Sequence, residues 1–153
     1  PTPINATAVG IAGQNQLWMY NNFNQQIGLY DYLKNEYKTI STPLAGKIKQ
    51  YTTDFNSFIW MDDNGEGYSC SLFGAIENLG KLPNADQLQI ISSNQMLYSI
   101  DQKITLLTRQ KDKSWASTPL QLPEKRFEKF YYQAQILAIF TTEGIYNFKI
   151  ILP

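Results

Sequence analysis

Residues 59–69 read Ile-Trp-Met-Asp-Asp-Asn-Gly-Glu-Gly-Tyr-Ser, and this stretch decides the fold. Two runs of apolar and aromatic residues flank residues 62–67, which are rich in turn-forming side chains. The pair Asn64-Gly65 at the centre is a strong signal for a tight turn between antiparallel strands. The stretch therefore predicts a β-hairpin with strands near residues 57–62 and 67–73.

The first strand of this hairpin recurs along the chain at intervals of about forty residues. Its aromatic residue recurs with separations of 42, 38 and 42 residues, at Trp18, Trp60, Tyr98 and Phe140. Ser-Thr-Pro-Leu stands at residues 41–44 and again at 117–120, which is 76 residues and two repeats later. These landmarks share one register, and together they indicate four internal repeats.

Each repeat contains short runs of Tyr, Ile, Phe, Thr and Trp separated by turn residues, which favours four strands per repeat. Four strands in about forty residues are typical of a β-propeller blade. We expect an all-β, propeller-like chain of about four blades of four antiparallel strands, with the last blade incomplete, in one domain spanning residues 1–153. The expected blades are residues 4–45, 46–84, 85–123 and 124–153. A short helix over residues 124–134 is the one helical alternative, since that segment fits both periods.

Four blades is the low end of the propeller range, so the chain could also be part of a larger ring. The recurring aromatic residues have two interpretations. They could pack between neighbouring blades, because a single blade cannot bury both of its faces. Alternatively, they could form a ligand platform that is repeated once per blade.

The repeats resemble two known families. Ile59-Trp60-Met61, Leu97-Tyr98-Ser99 and the segment from Trp115 to Pro123 resemble the strand order of tectonin-type repeats, which form lectin-like propellers. Residues 139–146, Ile-Phe-Thr-Thr-Glu-Gly-Ile-Tyr, are similar to the two-component-regulator propeller repeat of bacterial sensors. The first resemblance implies carbohydrate binding, and the second implies a sensor or scaffold built as a long ring.

The bulk composition excludes several classes of function. The chain has 153 residues, with 13 basic and 13 acidic side chains, so its net charge is zero and nucleic acid is not an expected partner. It has no histidine, so neither a Ser-His-Asp site nor a histidine metal site is possible within the chain. No pair of carboxylates stands out for glycoside hydrolysis. We therefore expect a protein that is not an enzyme and that needs no cofactor.

Two local features allow a chemical and a structural interpretation. Cys70 is the one cysteine and lies in an apparent strand, where a buried side chain is favoured over a reactive thiol. Residues 62–66 concentrate oxygen ligands, but their spacing does not match a calcium-binding loop, so an acidic turn is favoured and no metal site is predicted. No apolar run approaches the ~20 residues of a membrane span. The compartment is undetermined, with a slight preference for a secreted, periplasmic or cell-surface location.

Surface aromatic residues are the best candidates for a binding site, because aromatic rings beside amides suit sugar faces and protein hot spots alike. The predicted ligand-binding residues are Trp115, Tyr30, Tyr32 and Tyr132. The favoured function is a non-catalytic binding module, such as a protein-interaction scaffold or sensor propeller, whose partner is another protein or a larger assembly. The alternative is a lectin-like carbohydrate binder with repeated aromatic sites.

Overall fold

The computed structural model describes residues 5–153, and within that range it contains strands and turns without a helix. The strands form four antiparallel sheets, three of four strands and a last one of three. Within each sheet the strands follow one another in chain order. The predicted all-β class, the four repeats and the incomplete fourth repeat are thus confirmed. The alternative of a helix over residues 124–134 is wrong, because that segment contains a strand that pairs with its successor.

The chain divides into two compact units, residues 1–82 and 83–153. This division falls within two residues of the boundary predicted between the second and third repeats. The organisation as a single domain stays a prediction.

Unit 1 contains sheets 1 and 2. Sheet 1 consists of β1 (Ala6–Ala12), β2 (Gln16–Asn21), β3 (Gln26–Asp31) and β4 (Glu36–Thr39). Sheet 2 consists of β5 (Ile48–Thr53), β6 (Ser57–Asp62), β7 (Glu66–Ser71) and β8 (Ile76–Lys81). The hairpin predicted near residues 57–73 is β6–β7, and Asp62 accepts hydrogen bonds from the backbone N–H groups of Asn64 and Glu66 within its turn.

Unit 2 contains sheets 3 and 4. Sheet 3 consists of β9 (Gln87–Ser92), β10 (Gln95–Ile100), β11 (Lys103–Arg109) and β12 (Trp115–Pro119). Sheet 4 consists of β13 (Lys129–Gln133), β14 (Ile136–Thr141) and β15 (Gly144–Lys149). Residues 120–128 connect the two sheets without forming a strand.

An aromatic cluster joins the two sheets of unit 1. The ring of Phe58 lies 5.5–6.3 Å from four other ring centroids, those of Trp18, Tyr20, Tyr51 and Trp60. The indole N–H of Trp18 also donates to the Asp54 carbonyl oxygen at 2.8 Å, so the buried ring has its polar group satisfied. The backbones come close as well, since a Cβ on Gly10 would lie only 1.9 Å from Oγ1 of Thr53. Glycine at this position therefore permits the approach of β1 to β5.

Amide side chains join the two sheets of unit 2. Gln87 and Gln89, two residues apart on β9, reach the backbone of β13. Each amide accepts from one backbone N–H and donates to the carbonyl of the same residue, at 2.7–2.9 Å, for Phe130 and Tyr132. The two glutamines thus imitate the edge of a neighbouring strand. Beneath them lies an apolar cluster that includes Leu97, Leu137 and Ile139.

The four recurring aromatic residues are not equivalent. Trp18 is the third residue of β2, whereas Trp60 is the fourth residue of β6, and both are buried in the cluster between their sheets. Leu97 and Ile139 are buried in the apolar cluster of unit 2. Because successive side chains of a strand point to opposite faces of its sheet, the next residues, Tyr98 and Phe140, lie on the faces turned away from that cluster. The interpretation as packing between sheets is confirmed for the two tryptophans only. A shift of one residue in a strand exchanges its faces, and a periodicity of about forty residues cannot detect that shift.

Candidate functional site

Three turns of unit 1 carry exposed apolar side chains at one end of its sheets. In an antiparallel meander the first and third turns lie at the same end, and the second turn lies at the other. The first turns of the two sheets are in contact, because the Gly13 N–H donates to the Phe55 carbonyl at 2.8 Å. We call this end the aromatic-turn end. Its exposed side chains are Tyr32, Leu33, Phe55 and Phe73, with 51%, 70%, 62% and 93% of their surface accessible.

Side-chain hydrogen bonds hold each of these turns. The Asp31 carboxylate accepts from the backbone N–H groups of Leu33 and Lys34 at 3.0 Å, and Asp54 does the same for Asn56 and Ser57 at 2.7–2.9 Å. These side chains take the place of backbone partners and fix the turn geometry. The exposed rings consequently stand on defined loops.

The turn that carries Phe73 is held in the same way. Oγ of Ser71 accepts from the N–H groups of Phe73 and Ala75, both at 3.2 Å. The Gly74 N–H donates to the Ser71 carbonyl at 3.0 Å, and Gly74 has a φ of +82°. A left-handed residue with no side chain is needed there, because a Cβ would lie 2.0 Å from the Ile40 carbonyl oxygen.

A cavity of about 450 Å³ lies beside Phe73. Its apolar wall comes from Leu29, Ile40 and Leu72. Its charged lining is balanced, with two carboxylates and two amines, from Asp31, Glu36, Lys34 and Lys38. The arrangement can accept an apolar side chain of a partner and offer polar contacts around it, without a preference for either sign of charge.

The predicted site residues of unit 1 lie at or near this end. Tyr32 is in the β3–β4 turn and is half exposed. Tyr30 is on β3, where it is opposite Tyr37 of β4 and its hydroxyl donates to the Asn35 side chain. Of the two, Tyr32 presents more of its ring to solvent.

The predicted site residues of unit 2 lie on different sheets. Trp115 begins β12, the outermost strand of sheet 3, where it pairs with Arg109 and the guanidinium carbon lies 5.8 Å from the ring centroid. Tyr132 is on β13, its backbone is held by Gln89, and its hydroxyl donates to the Ile150 carbonyl at 2.6 Å. Both rings are half-buried. The ligand-binding role of all four residues stays a prediction.

Leu33, Phe55 and Phe73 are not among the binding residues that the sequence predicts. Strand alternation predicts the exposure of side chains within strands, and these three residues lie within turns. A usable signal exists in Asp31-Tyr32-Leu33, Asp54-Phe55 and Ser71-Leu72-Phe73. An apolar residue one or two positions after a turn-capping Asp or Ser is held on the turn, because the capping oxygen fixes the local backbone.

Two further features with chemical potential are Cys70 and the acidic turn at residues 62–66. Cys70 is buried between the sheets of unit 1, and desolvation raises the pKa of its thiol to about 11. Among residues 5–153, no three His, Cys, Asp or Glu side chains come together as a metal site would require. The described part of the chain also lacks a helix long and apolar enough to cross a membrane.

Comparison with solved structures assigns the fold to the β-propeller class. Hsv2 of Kluyveromyces lactis matches with a TM-score of 0.62 and 9% identity, over 97% of this chain and 49% of that one. The N-terminal domain of Nup159 matches at 0.56 and 11%, over 97% and 46%. The computationally designed protein Ika4 matches at 0.54 and 10%, over 97% and 94%.

These likenesses are of fold alone, and this chain spans less than half the length of the Nup159 and Hsv2 chains. The sequence matches no family model and no curated protein. The chain is thus a propeller-like repeat protein of four antiparallel sheets. Its resemblance to tectonin-type and two-component-regulator repeats stays a resemblance.

Proposed function

We propose that this chain is a non-catalytic protein-binding module and that its binding surface is the aromatic-turn end of unit 1. The observation that carries the proposal is Phe73, a large apolar ring that is almost fully exposed on a turn fixed by hydrogen bonds. Exposed apolar residues that occur singly need no explanation, but a group of them on one end of a unit marks an interaction site.

The energetics favour a protein partner. Burying a Phe or Leu side chain is worth about 1.5–3 kcal/mol, so the four exposed side chains can supply a large share of a binding free energy. The turns are already ordered, so little conformational entropy is lost when a partner binds. Aromatic side chains beside a pocket are the usual anchors of protein interfaces.

The charged side chains around the cavity indicate which kind of partner segment would fit. Asp31 and Glu36 balance Lys34 and Lys38 around the cavity beside Phe73. The expected partner segment is therefore apolar at its centre and close to neutral, in contrast to an acidic or basic peptide. The zero net charge of the whole chain agrees with this expectation.

Carbohydrate binding is the second candidate and rests on Trp115. A sugar would need an open ring face, and the Trp115 ring is half-buried beside Arg109. The partly covered faces of Trp115 and Tyr132 favour the protein-binding proposal over this one.

Selection of binding peptides from a random display library, with the purified full chain as target, tests the proposal. We expect selected peptides to be rich in apolar residues and to lose at least tenfold in affinity for Phe73→Asp and Phe55→Asp. The matched control is Phe23→Asp, which changes a phenylalanine of intermediate exposure (80%, between Phe55 and Phe73) on the β2–β3 turn at the other end of sheet 1. Binding of the Phe23 variant should stay within twofold of that of the unmodified chain.

Two results would contradict the proposal. One is a folded chain that selects no peptide, or peptides that bind all three variants equally. The other is reproducible glycan-array binding that Trp115→Ala abolishes and Phe73→Asp leaves intact, which would establish the carbohydrate reading instead.

A further inference from the structure

A second cavity, within unit 2, is independent of the proposed protein-binding surface. Its volume is about 640 Å³, which is in the range of pockets for small molecules. Its walls come from the β10–β11 turn, the start of β11 and the strandless connection 120–128, with Ile139 of β14 at its base. All of these residues belong to one unit and one apolar cluster borders them.

The base of the cavity is apolar. Ile104, Phe127 and Ile139 are buried members of the unit 2 cluster, and Leu120 and Leu122 pack against the same cluster. A ligand with an apolar body can therefore replace water over this base.

The connection that forms one wall is held in place. The side-chain amide of Gln102 donates to the Phe127 carbonyl at 3.0 Å and accepts from the Phe127 N–H at 2.7 Å. The Leu120 N–H donates to the Ile104 carbonyl at 2.9 Å at the other end of the connection. A wall fixed at both ends makes the cavity largely preformed, as ligand sites usually are.

The rim carries a surplus of positive charge. Lys103, Lys125 and Arg126 line it together with Asp101 and Glu124. The Lys125 ammonium lies 4.3 Å from the Tyr146 ring centroid. Lys103 and Arg126 are exposed, and among residues 5–153 neither has an ion-pair partner. A guanidinium and an ammonium without partners at the mouth of an apolar cavity suit an anionic group on a ligand.

We propose that this cavity binds a small amphipathic anion, with an apolar body against Ile104, Phe127 and Ile139 and a carboxylate or sulfonate at Lys103 and Arg126. The volume excludes a folded partner as the occupant and fits one ring system or a short acyl chain. The charge at the mouth selects an acid over a neutral or basic molecule of the same shape.

A pair of fluorescent probes tests both parts of this proposal on the full chain. 8-Anilinonaphthalene-1-sulfonate carries the anion, and N-phenyl-1-naphthylamine has the same ring system without it. We expect one sulfonate molecule to bind per chain, with at least tenfold higher affinity than the neutral probe. The double variant Lys103→Glu/Arg126→Glu should abolish this preference and change the affinity of the neutral probe less than twofold.

Two further variants separate the cavity from the rest of the surface. Lys49→Glu/Lys111→Glu makes the same change of net charge at exposed lysines outside the cavity lining and should leave binding of both probes within twofold. Leu122→Trp places a larger side chain into the cavity wall and should weaken binding of both probes, with circular dichroism as the check of folding.

The proposal is overturned if the folded chain binds neither probe, or if both probes bind with equal affinity. It is also overturned if the control pair of lysine variants weakens the sulfonate probe as much as the Lys103/Arg126 pair does, since the effect would then come from net charge alone.

Discussion

Both units are built from antiparallel sheets whose strands follow one another in chain order, but they join their sheets by different chemistry. In unit 1 two aromatic contacts cross between the sheets, from Trp18 and Tyr20 of sheet 1 to Phe58 of sheet 2, and three more aromatic contacts lie within sheet 2. In unit 2 two glutamine side chains continue the hydrogen-bonding pattern of a β-ladder from β9 to β13. Aromatic contacts depend on filled volume, whereas the glutamine contacts depend on two matched donors and acceptors. The two interfaces should therefore fail in response to different substitutions.

Removal of the central ring should produce the largest effect. We expect Phe58→Ala to lower the free energy of unfolding by about 3–5 kcal/mol, because it leaves a cavity and removes several ring contacts. Phe130→Ala is the matched truncation in unit 2, where the residue is equally buried but no aromatic contact is recorded for its ring in the described chain. It should cost about 1–2 kcal/mol less. Urea unfolding of both variants measures the difference, and equal losses would refute the distinction between the interfaces.

Alkaline conditions should weaken unit 1. Burial raises the pKa of Cys70 to about 11 and also raises the pKa values of Tyr20 and Tyr68, for which desolvation is the largest cause. These groups are neutral when protonated, so the unfolded chain loses their protons at lower pH than the folded chain. The stability is therefore fully present below about pH 9 and falls as the pH rises towards 11.

The size of this loss is on the order of 2 kcal/mol for the thiol alone. Melting curves followed by circular dichroism between pH 7 and 11 measure it. In Cys70→Ala the decline above pH 9 should be shallower than in the unmodified chain. A decline of the same steepness would show that the thiol is not responsible.

Loss of one glutamine clamp should have a moderate effect on unit 2. We expect Gln89→Leu to cost about 1–2 kcal/mol, because the N–H and the carbonyl of Tyr132 both lose their partner. Gln89→Glu is the sharper variant, since a carboxylate still accepts from the N–H but cannot donate to the carbonyl. Hydrogen exchange at Tyr132 should increase more for the leucine variant. Exchange that is unchanged in both would mean that water replaces the amide without loss.

Much of this architecture was predictable from the sequence, because turn signals such as Asn64-Gly65 and β-rich runs are local properties. The hairpin strands predicted near residues 57–62 and 67–73 agree with the observed β6 and β7 to within two residues. The joining chemistry was not predictable in the same way. In the sequence, Gln87 and Gln89 cannot be distinguished from solvent-facing amides, because their hydrogen-bond partners lie 43 residues later in the chain.

The candidate site was predicted less well, for a related physical reason. Tyr32 is predicted as a surface aromatic, and its half-exposed ring lies at the aromatic-turn end. Phe55 and Phe73 are not among the predicted residues, because strand alternation makes no statement about turns, although the turn-capping Asp54 and Ser71 precede them in the sequence. Trp115 lies at the start of an outer strand, but the half-burial of its ring depends on tertiary neighbours that the sequence does not show.

The smallest expected effects come from backbone strain in the turns, where one substitution in each unit should change stability in opposite directions. Gln135 in the β13–β14 turn has a φ of +67°, and Gly65 in the β6–β7 turn has a φ of +81°. A residue with a side chain is strained in this region, whereas glycine is not. Gln135→Gly should stabilise unit 2 by up to about 1 kcal/mol, after the entropy that glycine adds to the unfolded chain. Gly65→Ala should destabilise unit 1 by about 1 kcal/mol.

The steric surroundings make this exchange interpretable. A Cβ on Gly65 would lie 3.6 Å from the side chain of Lys81, an ordinary contact, so its cost is conformational. Opposite changes of similar size in urea midpoints would show that turn strain is set locally, whatever chemistry joins the sheets. A different outcome is a neutral Gly65→Ala together with a stabilising Gln135→Gly. In that case turn strain would not be set locally, because the aromatic interface of unit 1 would tolerate a distorted turn and the hydrogen-bonded interface of unit 2 would not.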